Sequence, residues 1–362
     1  MVYFKIIYQG GEGMEWGLLI LFPWIVTTVW WYIALFYYYH HSQKTHKNTS
    51  TTRDFTIKIL TLGREVEVLK TTVEHCINYC NKNPLIITKR KIQELSEANV
   101  KVVPEEFECE AKWKGRDLEW ARINQPPENE YTLFLDEDSL PQFKEIPTDA
   151  DIIQFQEVPI AQNLIIETIE TFRIGLTIPE FSLYEKTSPL TLWGGGIVIT
   201  KRLEDQITWN RESITEDNAF AFALISTSAK YRYKFSREKI ITKAPLRIKD
   251  LLRQRWRWAS GVINDLKYLH KKKIKAFIIV KLLSGTIYIL LPLMILQGYI
   301  GIFPIIQAMI CTGIGSAILK IPLKRTFILI ILAPLAAYIH YLPSVIALLK
   351  RKKEFNATPK SC

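Results

Sequence analysis

Tyr131-Thr132-Leu133-Phe134-Leu135-Asp136-Glu137-Asp138-Ser139 is an apolar run that ends abruptly in acid. Such a short run reads as a buried strand. Alternate residues of an extended segment share a face, so Asp136 and Asp138 can point at one spot. An acidic turn after a strand is the plainer alternative. Upstream, Phe55 to Leu62 alternates and is rich in Ile, Leu and Thr, which predicts another strand. Glu65 to Cys80 has helical periodicity, Pro84 to Thr88 predicts a second strand, and Gln93 to Ala98 a short helix. Val100 to Val103 predicts a third strand, and Gly115 to Arg122 a helix. Strands alternating with helices indicate an α/β fold with a mainly parallel sheet, in which ligands gather at the C-terminal strand ends. Asp136 to Asp138 fall at such an end. The stretches Asn124 to Glu130 and Glu180 to Pro189 read as surface excursions.

Two further motifs follow in order. Thr215-Glu216-Asp217-Asn218 precedes the apolar helical stretch Ala219 to Leu224. Thr215 suits a helix N-cap with acids in the first turn, and Asp217 suits a general base that removes a proton from an attacking hydroxyl. Gln254-Arg255-Trp256-Arg257-Trp258 lies in a basic amphipathic segment, Leu246 to Leu269. That segment reads as an interfacial helix with Trp at headgroup level. It also reads as a binding element in which Gln254 and Arg257 hold a diphosphate, because Arg suits bidentate oxyanion recognition. Trp258 would then wall the acceptor. Trp193-Gly194-Gly195-Gly196 permits close backbone approach to a ligand, or is a flexible turn. Lys114 and Arg116 lie ahead of the acidic motif and could reach phosphate, with surface placement the plainer alternative. The carboxylates of Asp136 and Asp138 suit Mg²⁺ or Mn²⁺ with diphosphate oxygens.

These motifs stand between membrane-grade hydrophobic blocks. Trp16 to Tyr39, Ala276 to Leu296, Ile302 to Leu319 and Thr326 to Leu349 are each near the length of a bilayer-crossing helix. The first has no small-residue cleavage site after it, so it reads as a permanent anchor. Glu12 and Glu15 precede it and Lys44, Lys47 and Arg53 follow, which predicts a cytoplasmic catalytic domain. Pro334 and Pro343 interrupt the last block, so a re-entrant, interfacial or tight-hairpin course with a cytoplasmic tail is expected there, with the number of crossings left open. The net charge of +11 is concentrated at the membrane boundaries, at Lys271 to Lys275 and Lys350 to Lys353 among others. Contact with anionic lipid headgroups accounts for it without nucleic acid. Five cysteines make no disulfide framework or metal spacing, and Cys76 and Cys80 read as two buried thiols one helical turn apart. His40, His41 and His46 read as a polar membrane-edge tail, and the sequons at Asn48 and Asn356 as cytoplasmic and unmodified.

The ordered set resembles membrane-embedded family 2 glycosyltransferases with a GT-A-type nucleotide-sugar domain, in the cellulose and hyaluronan synthase branch. It is closer still to egghead-type β-1,4-mannosyltransferases. Trp113-Lys114-Gly115-Arg116-Asp117-Leu118-Glu119-Trp120 is similar to a Phe-Lys-Ser-Arg-Ala-Leu-Gln-Tyr segment there. Phe172-Arg173, Ser188-Pro189-Leu190 and Trp193 with its glycines fall in matching order. The resemblance runs from about Thr56 to Gly261, and includes the tail Lys352 to Lys360. It implies a GT-A, Rossmann-like α/β fold and an inverting sugar transfer with Asp217 as base. Asp136 and Asp138 are then expected at nucleotide and metal (Mg²⁺ or Mn²⁺), and Lys114, Gln254 and Arg257 at the donor diphosphate. Trp258, Trp193, Glu216 and Gly195 are expected at the acceptor. The donor implied is GDP-mannose, with a UDP-sugar as the alternative, and the acceptor a lipid-linked sugar. Related transferases often carry an Asp after the second strand that helps hold the nucleoside, whereas here Ile86-Ile87-Thr88-Lys89-Arg90 runs past that point without one. A processive polysaccharide synthase and an inactive membrane scaffold are the remaining alternatives.

The resulting organisation is an anchor over 1–40, a cytoplasmic catalytic domain over 52–245 and an amphipathic interfacial helix over 246–275. A membrane region over 276–350 and a basic tail over 351–362 complete an integral, multi-pass protein.

Overall fold

The alternating stretch after Arg53 becomes a paired strand, and the sheet is laid outward from it. The computed structural model describes residues 11–40, 50–95, 98–296 and 302–352. Strand β2 (Phe55–Thr61) pairs in parallel with β3 (Leu85–Thr88) on one side and β5 (Tyr131–Asp136) on the other. β4 (Asn99–Val102) extends that edge, again in parallel. Helices α2 (Val66–Asn78) and α3 (Trp113–Asn124) are the crossovers that parallel pairing requires. The full order is β4-β3-β2-β5-β9-β8-β10-β6. It includes β9 (Gly196–Thr200), β8 (Ile152–Ile160), β10 (Tyr233–Lys243) and the short β6 (Leu140–Pro141). β8 and β10 are parallel, β9 runs antiparallel to both β5 and β8, and β6 is antiparallel to β10. Outside this sheet, β1 (Thr51–Thr52) pairs with β7 (Ile146–Pro147). The mainly parallel α/β fold is as expected. The predicted helix at Gln93 shrinks to a single 3₁₀ turn, Gln93–Leu95.

Both sheet faces are covered. Ile57, Ile59, Leu133 and Leu135 pack under α2 with Leu69, Val73 and Cys76. Cys76 and Cys80 are buried free thiols, pushed up to about 12 and about 11 by burial, as their spacing suggested. On the other face, Phe134, Ile152 and Ile197 meet α5 (Lys201–Ile207) and α6 (Glu216–Ser226) through Leu203, Phe220 and Phe222.

The surface course expected of one stretch is overturned. Glu180 to Pro189 is not a surface excursion: α4 (Leu164–Leu183) runs through its first residues, and Phe181 and Tyr184 are buried. α4 is apolar on most of its circumference because it lies between the sheet and the long apolar helices. A Cβ at Gly175 would stand 1.8 Å from the Cys311 carbonyl oxygen, and one at Gly315 would stand 1.9 Å from that of Thr171. The backbones of α4 and α10 (Ile302–Leu319) therefore touch, a packing that only small residues allow.

Among the described residues, four helical stretches are long and apolar enough to cross a membrane: Leu21–His40, Lys272–Pro292, Ile302–Leu319 and Leu323–Leu349. The first belongs to α1 (Gly11–His40), and the second joins α8 (Lys272–Ser284) to α9 (Thr286–Leu296). α11 (Leu323–Leu349) is continuous through Pro334 and Pro343, which do not interrupt it. Its start is tied to α4 by Arg325 and Glu167. Its end is tied to α7 (Ile248–Asp265): Trp256 Nε1 donates to Lys350 O at 2.9 Å and Lys352 N to Ser260 Oγ at 2.9 Å. His40 is exposed at the end of α1. His41, His46, Asn48, Asn356, Lys353 and the tail beyond it lie outside the described residues, as do Glu12 and Glu15 in their side chains.

Candidate active site

The ends of β2 and β5, the start of α3, the glycine loop before β9, the start of α6 and one face of α7 enclose a cavity of about 420 Å³. It extends past α4 to Leu282 of α8 and to His340 and Ser344 of α11. The sequence motifs, far apart in the chain, thus meet in one hollow between the sheet and the long apolar helices.

Lys114, in the first turn of α3, joins two of them. Its Nζ lies 2.6 Å from Asp136 Oδ1 and 3.1 Å from Glu216 Oε1. Burial alone would lower this ammonium, but Asp136 and then Glu216 outweigh it and hold it above the ordinary lysine range. Arg116 points elsewhere: its guanidinium donates to the carbonyls of Phe107, Pro104 and Glu105. The phosphate contact expected of Lys114 thus remains open to it, and that of Arg116 does not.

Asp217 occupies the first turn of α6. Its Oδ2 accepts Gly194 N at 3.1 Å, and its Oδ1 accepts Asn218 N at 2.8 Å. Burial, reinforced by the charge of Glu216, pushes its carboxyl up to about 7 against Lys114 and these two N–H groups. A carboxyl near neutrality is suited to accept a proton at physiological pH.

The glycine loop is locked rather than flexible. Gln154 Oε1 accepts Trp193 N at 2.9 Å, and Gln154 Nε2 donates to Gly196 O at 2.9 Å. A Cβ at Gly195 would stand 2.7 Å from Asp136 Oδ2, while Gly194 N already meets Asp217. The loop is wedged between the two aspartates, and the absence of side chains lets the backbone fit. Gly195 therefore sits against the acidic strand end, although the sequence reading set it beside the acceptor. Trp193 and Glu216 line the same cavity.

On α7, Gln254, Arg257 and Trp258 all line the cavity. Arg257 Nη1 donates to Ile214 O at 3.2 Å. Burial draws Arg257 below the usual guanidinium range against the pull of Glu216, Asp217 and Asp136. Arg255 lies 4.1 Å from the Trp258 ring and pairs with Glu170. Glu170 accepts Arg173 Nε at 2.7 Å, and Arg173 also forks onto Glu157 at 2.6 and 2.8 Å. This buried chain of alternating charges anchors α7 to α4 and the sheet.

Two features escaped the sequence reading. Thr215 does not cap α6 with its side chain. Its hydroxyl donates instead to Asp265 Oδ2 at 2.9 Å, which also accepts Ser213 Oγ at 2.6 Å. Asp265 is fully buried at the end of α7, so it ties the Thr-Glu-Asp loop to the helix bearing Arg257. Gly261 allows the approach, because a Cβ there would stand 2.1 Å from Thr215 Oγ1.

The donor set fits a hard divalent cation in kind. Asp136 and Asp138 both line the cavity with carboxylate oxygens, the ligand type Mg²⁺ and Mn²⁺ take. Asp138 is largely buried, and its Oδ2 accepts Lys243 N of β10 at 3.0 Å. Among the described residues no three His, Cys, Asp or Glu side chains converge as a complete cage. Two carboxylates, with the remaining positions left to phosphate and water, match how Mg²⁺ is held beside phosphates.

Known proteins resemble this chain to different degrees. Beta-1,4-mannosyltransferase egh of Drosophila melanogaster is 25% identical over 250 residues, covering 60% of this chain and 53% of that protein. The chain thus spans about half the length of this relative. The solved structure of mannosyltransferase PcManGT from Pyrobaculum calidifontis, in complex with GDP-Man and Mn²⁺, superposes with a TM-score of 0.50. That match covers 91% of this chain and 97% of the other at 12% identity, so it bears on the fold alone. The family model for glycosyl transferase family group 2 matches residues 132–342, more than half of the chain and all three motifs, and the chain belongs to that family.

Proposed function

We propose that this chain is an inverting mannosyltransferase that moves mannose from GDP-mannose onto a lipid-linked sugar in β-1,4 linkage. The observation that carries the reading is the position of Asp217, on a cavity that begins at the acidic strand end and reaches α8 and α11. A soluble donor can enter from the sheet side and a lipid-borne acceptor from the membrane side. The Drosophila mannosyltransferase among its relatives supports the choice of sugar.

In this mechanism Asp217 takes the proton from the acceptor hydroxyl as that oxygen attacks the anomeric carbon. The bond to the nucleoside diphosphate breaks on the opposite face, so a single displacement inverts the centre. Lys114 and Arg257 face the charge that develops on the departing diphosphate, with Gln254 beside them. Asp136 and Asp138 are the residues that would hold Mg²⁺ or Mn²⁺, whose charge offsets that on the leaving group. Trp258 and Trp193 offer apolar faces to the acceptor sugar, with Glu216 and the Gly195 backbone nearby.

The catalytic domain is cytoplasmic in this reading, with membrane lipids around the apolar helices and no nucleic-acid partner. The ties from Lys350 and Lys352 to α7 keep the start of the basic tail on the catalytic side. Radiolabel transfer into extractable lipid tests the proposal, using purified protein in native lipid with Mn²⁺ or Mg²⁺, GDP-mannose against UDP-glucose, and Asp217→Asn as control. One discrete mannolipid, lost in the variant, is expected. Incorporation from UDP-glucose alone would refute the donor, and near-normal turnover by Asp217→Asn would refute the base.

A further inference from the structure

Asp117 is a carboxylate on the cavity wall that this mechanism does not use. It lies one helical turn beyond Lys114 on the same face of α3. Its surface is 3% exposed, yet its Oδ1 has no hydrogen-bond partner among the described residues. Arg116 Nη1, the nearest cation to Oδ1 at 3.8 Å, belongs to a guanidinium committed to three backbone carbonyls. Across from Asp117, Lys89 Nζ stands 3.9 Å from Oδ2 at the C-terminal end of β3. Burial pushes the Asp117 carboxyl up to about 7, against Lys89 and Arg116. An unsatisfied buried acceptor is costly unless a ligand completes it.

The location matters as much as the chemistry. Lys114 marks the phosphate end of the donor at Asp136. One turn along α3, about 5 Å away, the cavity wall is formed by Leu60, Thr61, Leu62 and Asp117. The segment after β3 supplies Lys89 and Arg90 and no acid, so a base held here must find its carboxylate on another element.

We propose that Asp117 and Lys89 recognise the base of the donor nucleotide, and that the base they select is guanine. Guanine presents, side by side, one acceptor (O6) and two donors (N1–H and the N2 amine). A lysine beside a carboxylate is the complementary row: Lys89 donates to O6, and the two oxygens of Asp117 accept N1–H and N2–H. Uracil offers one N–H between two carbonyls, so one of its oxygens would face the carboxylate. Adenine would set its N1 lone pair against it. The inference rests on the nucleotide-donor reading above and deepens it by assigning the base to residues of this chain.

The test is equilibrium binding by calorimetry of GDP, IDP, UDP and XDP to the full chain in detergent with Mn²⁺. IDP differs from GDP only by lacking the N2 amine, so wild type should bind GDP about tenfold or more tighter than IDP. Asp117→Asn should lose a similar factor for GDP and gain XDP, whose C2 carbonyl accepts from the new amide. Wild type that binds GDP no better than IDP would overturn this inference and leave the GDP-mannose donor standing. Wild type that prefers UDP would remove donor and base assignment together. The GDP-to-IDP ratio needs no variant, so it decides the matter even if Asp117→Asn fails to fold.

Discussion

Replacing Asp217 with Asn should make the protein more stable at pH 8 while stopping transfer. In the folded chain this carboxyl is pushed from 3.8 up to about 7, first by burial and then by Glu216. Its folded pKa lies above its unfolded value, so the folded state holds a proton that the unfolded chain has released. Stability therefore falls as pH rises from about 4 to about 7, and is level above that. A shift of this size corresponds to about 4 kcal/mol at pH 8 and about 2 kcal/mol at pH 5. Asp217 keeps a part-exposed edge toward the cavity, and solvent there reduces these figures by about half. Asn also loses something: Gly194 N and Asn218 N both donate to the carboxylate, and one amide oxygen serves both poorly. That loss is about 1 kcal/mol. The balance leaves Asp217→Asn about 1 kcal/mol more stable at pH 8, a rise of about 2–4 °C in thermal midpoint, and no more stable than wild type at pH 5. Thermal unfolding in detergent micelles at both pH values, read by tryptophan fluorescence, measures the difference. If wild type is the more stable protein at pH 8, burial does not strain this carboxylate, and the reasoning that makes it a base near neutrality fails.

Gly261→Ala would drive a Cβ into the Thr215 hydroxyl; the expected outcome is transfer reduced about tenfold or more with the helical circular dichroism intact, because α7 is displaced from the Thr-Glu-Asp loop. Arg173→Met would leave Glu157 and Glu170 buried with most of their compensating charge gone, which should cost about 3–5 kcal/mol; denaturant titration in micelles should show the midpoint moving down accordingly.

The parts of this molecule legible in its sequence are those encoded over short distances. Tyr131 to Asp136 is apolar and then acidic, and an apolar strand with acids at its C-terminal end has few other places to go in an α/β sheet. The spacing of Gln254, Arg257 and Trp258 puts them on one face of a helix, and the structure turns that face to the cavity. Helical periodicity also located α2 and α3 to within a few residues. α4 was missed because its periodicity is erased: it meets the sheet on one side and α10 and α11 on the others, so apolar residues surround it, and the few polar ones are paired inside.

What the sequence hides is which residue lies opposite which. Thr215 satisfies every local rule for a helix cap, yet its hydroxyl bonds Asp265, 50 positions away. Arg255 satisfies the rules for an interfacial cation, yet it is buried against Glu170, 85 positions away. In both cases the local rule describes what the side chain can do, and the tertiary fold chooses between its options by what it leaves desolvated. A buried Asp265 with no hydroxyl against it, or a buried Glu170 without its arginines, would be an uncompensated charge. The fold therefore spends hydroxyls and arginines of the motif regions on holding α7 in place, and leaves Asp217, Lys114 and Arg257 around the cavity. Residues that position an active site are in this way drawn from the same short motifs as the residues that face it, and only three-dimensional pairing separates the two.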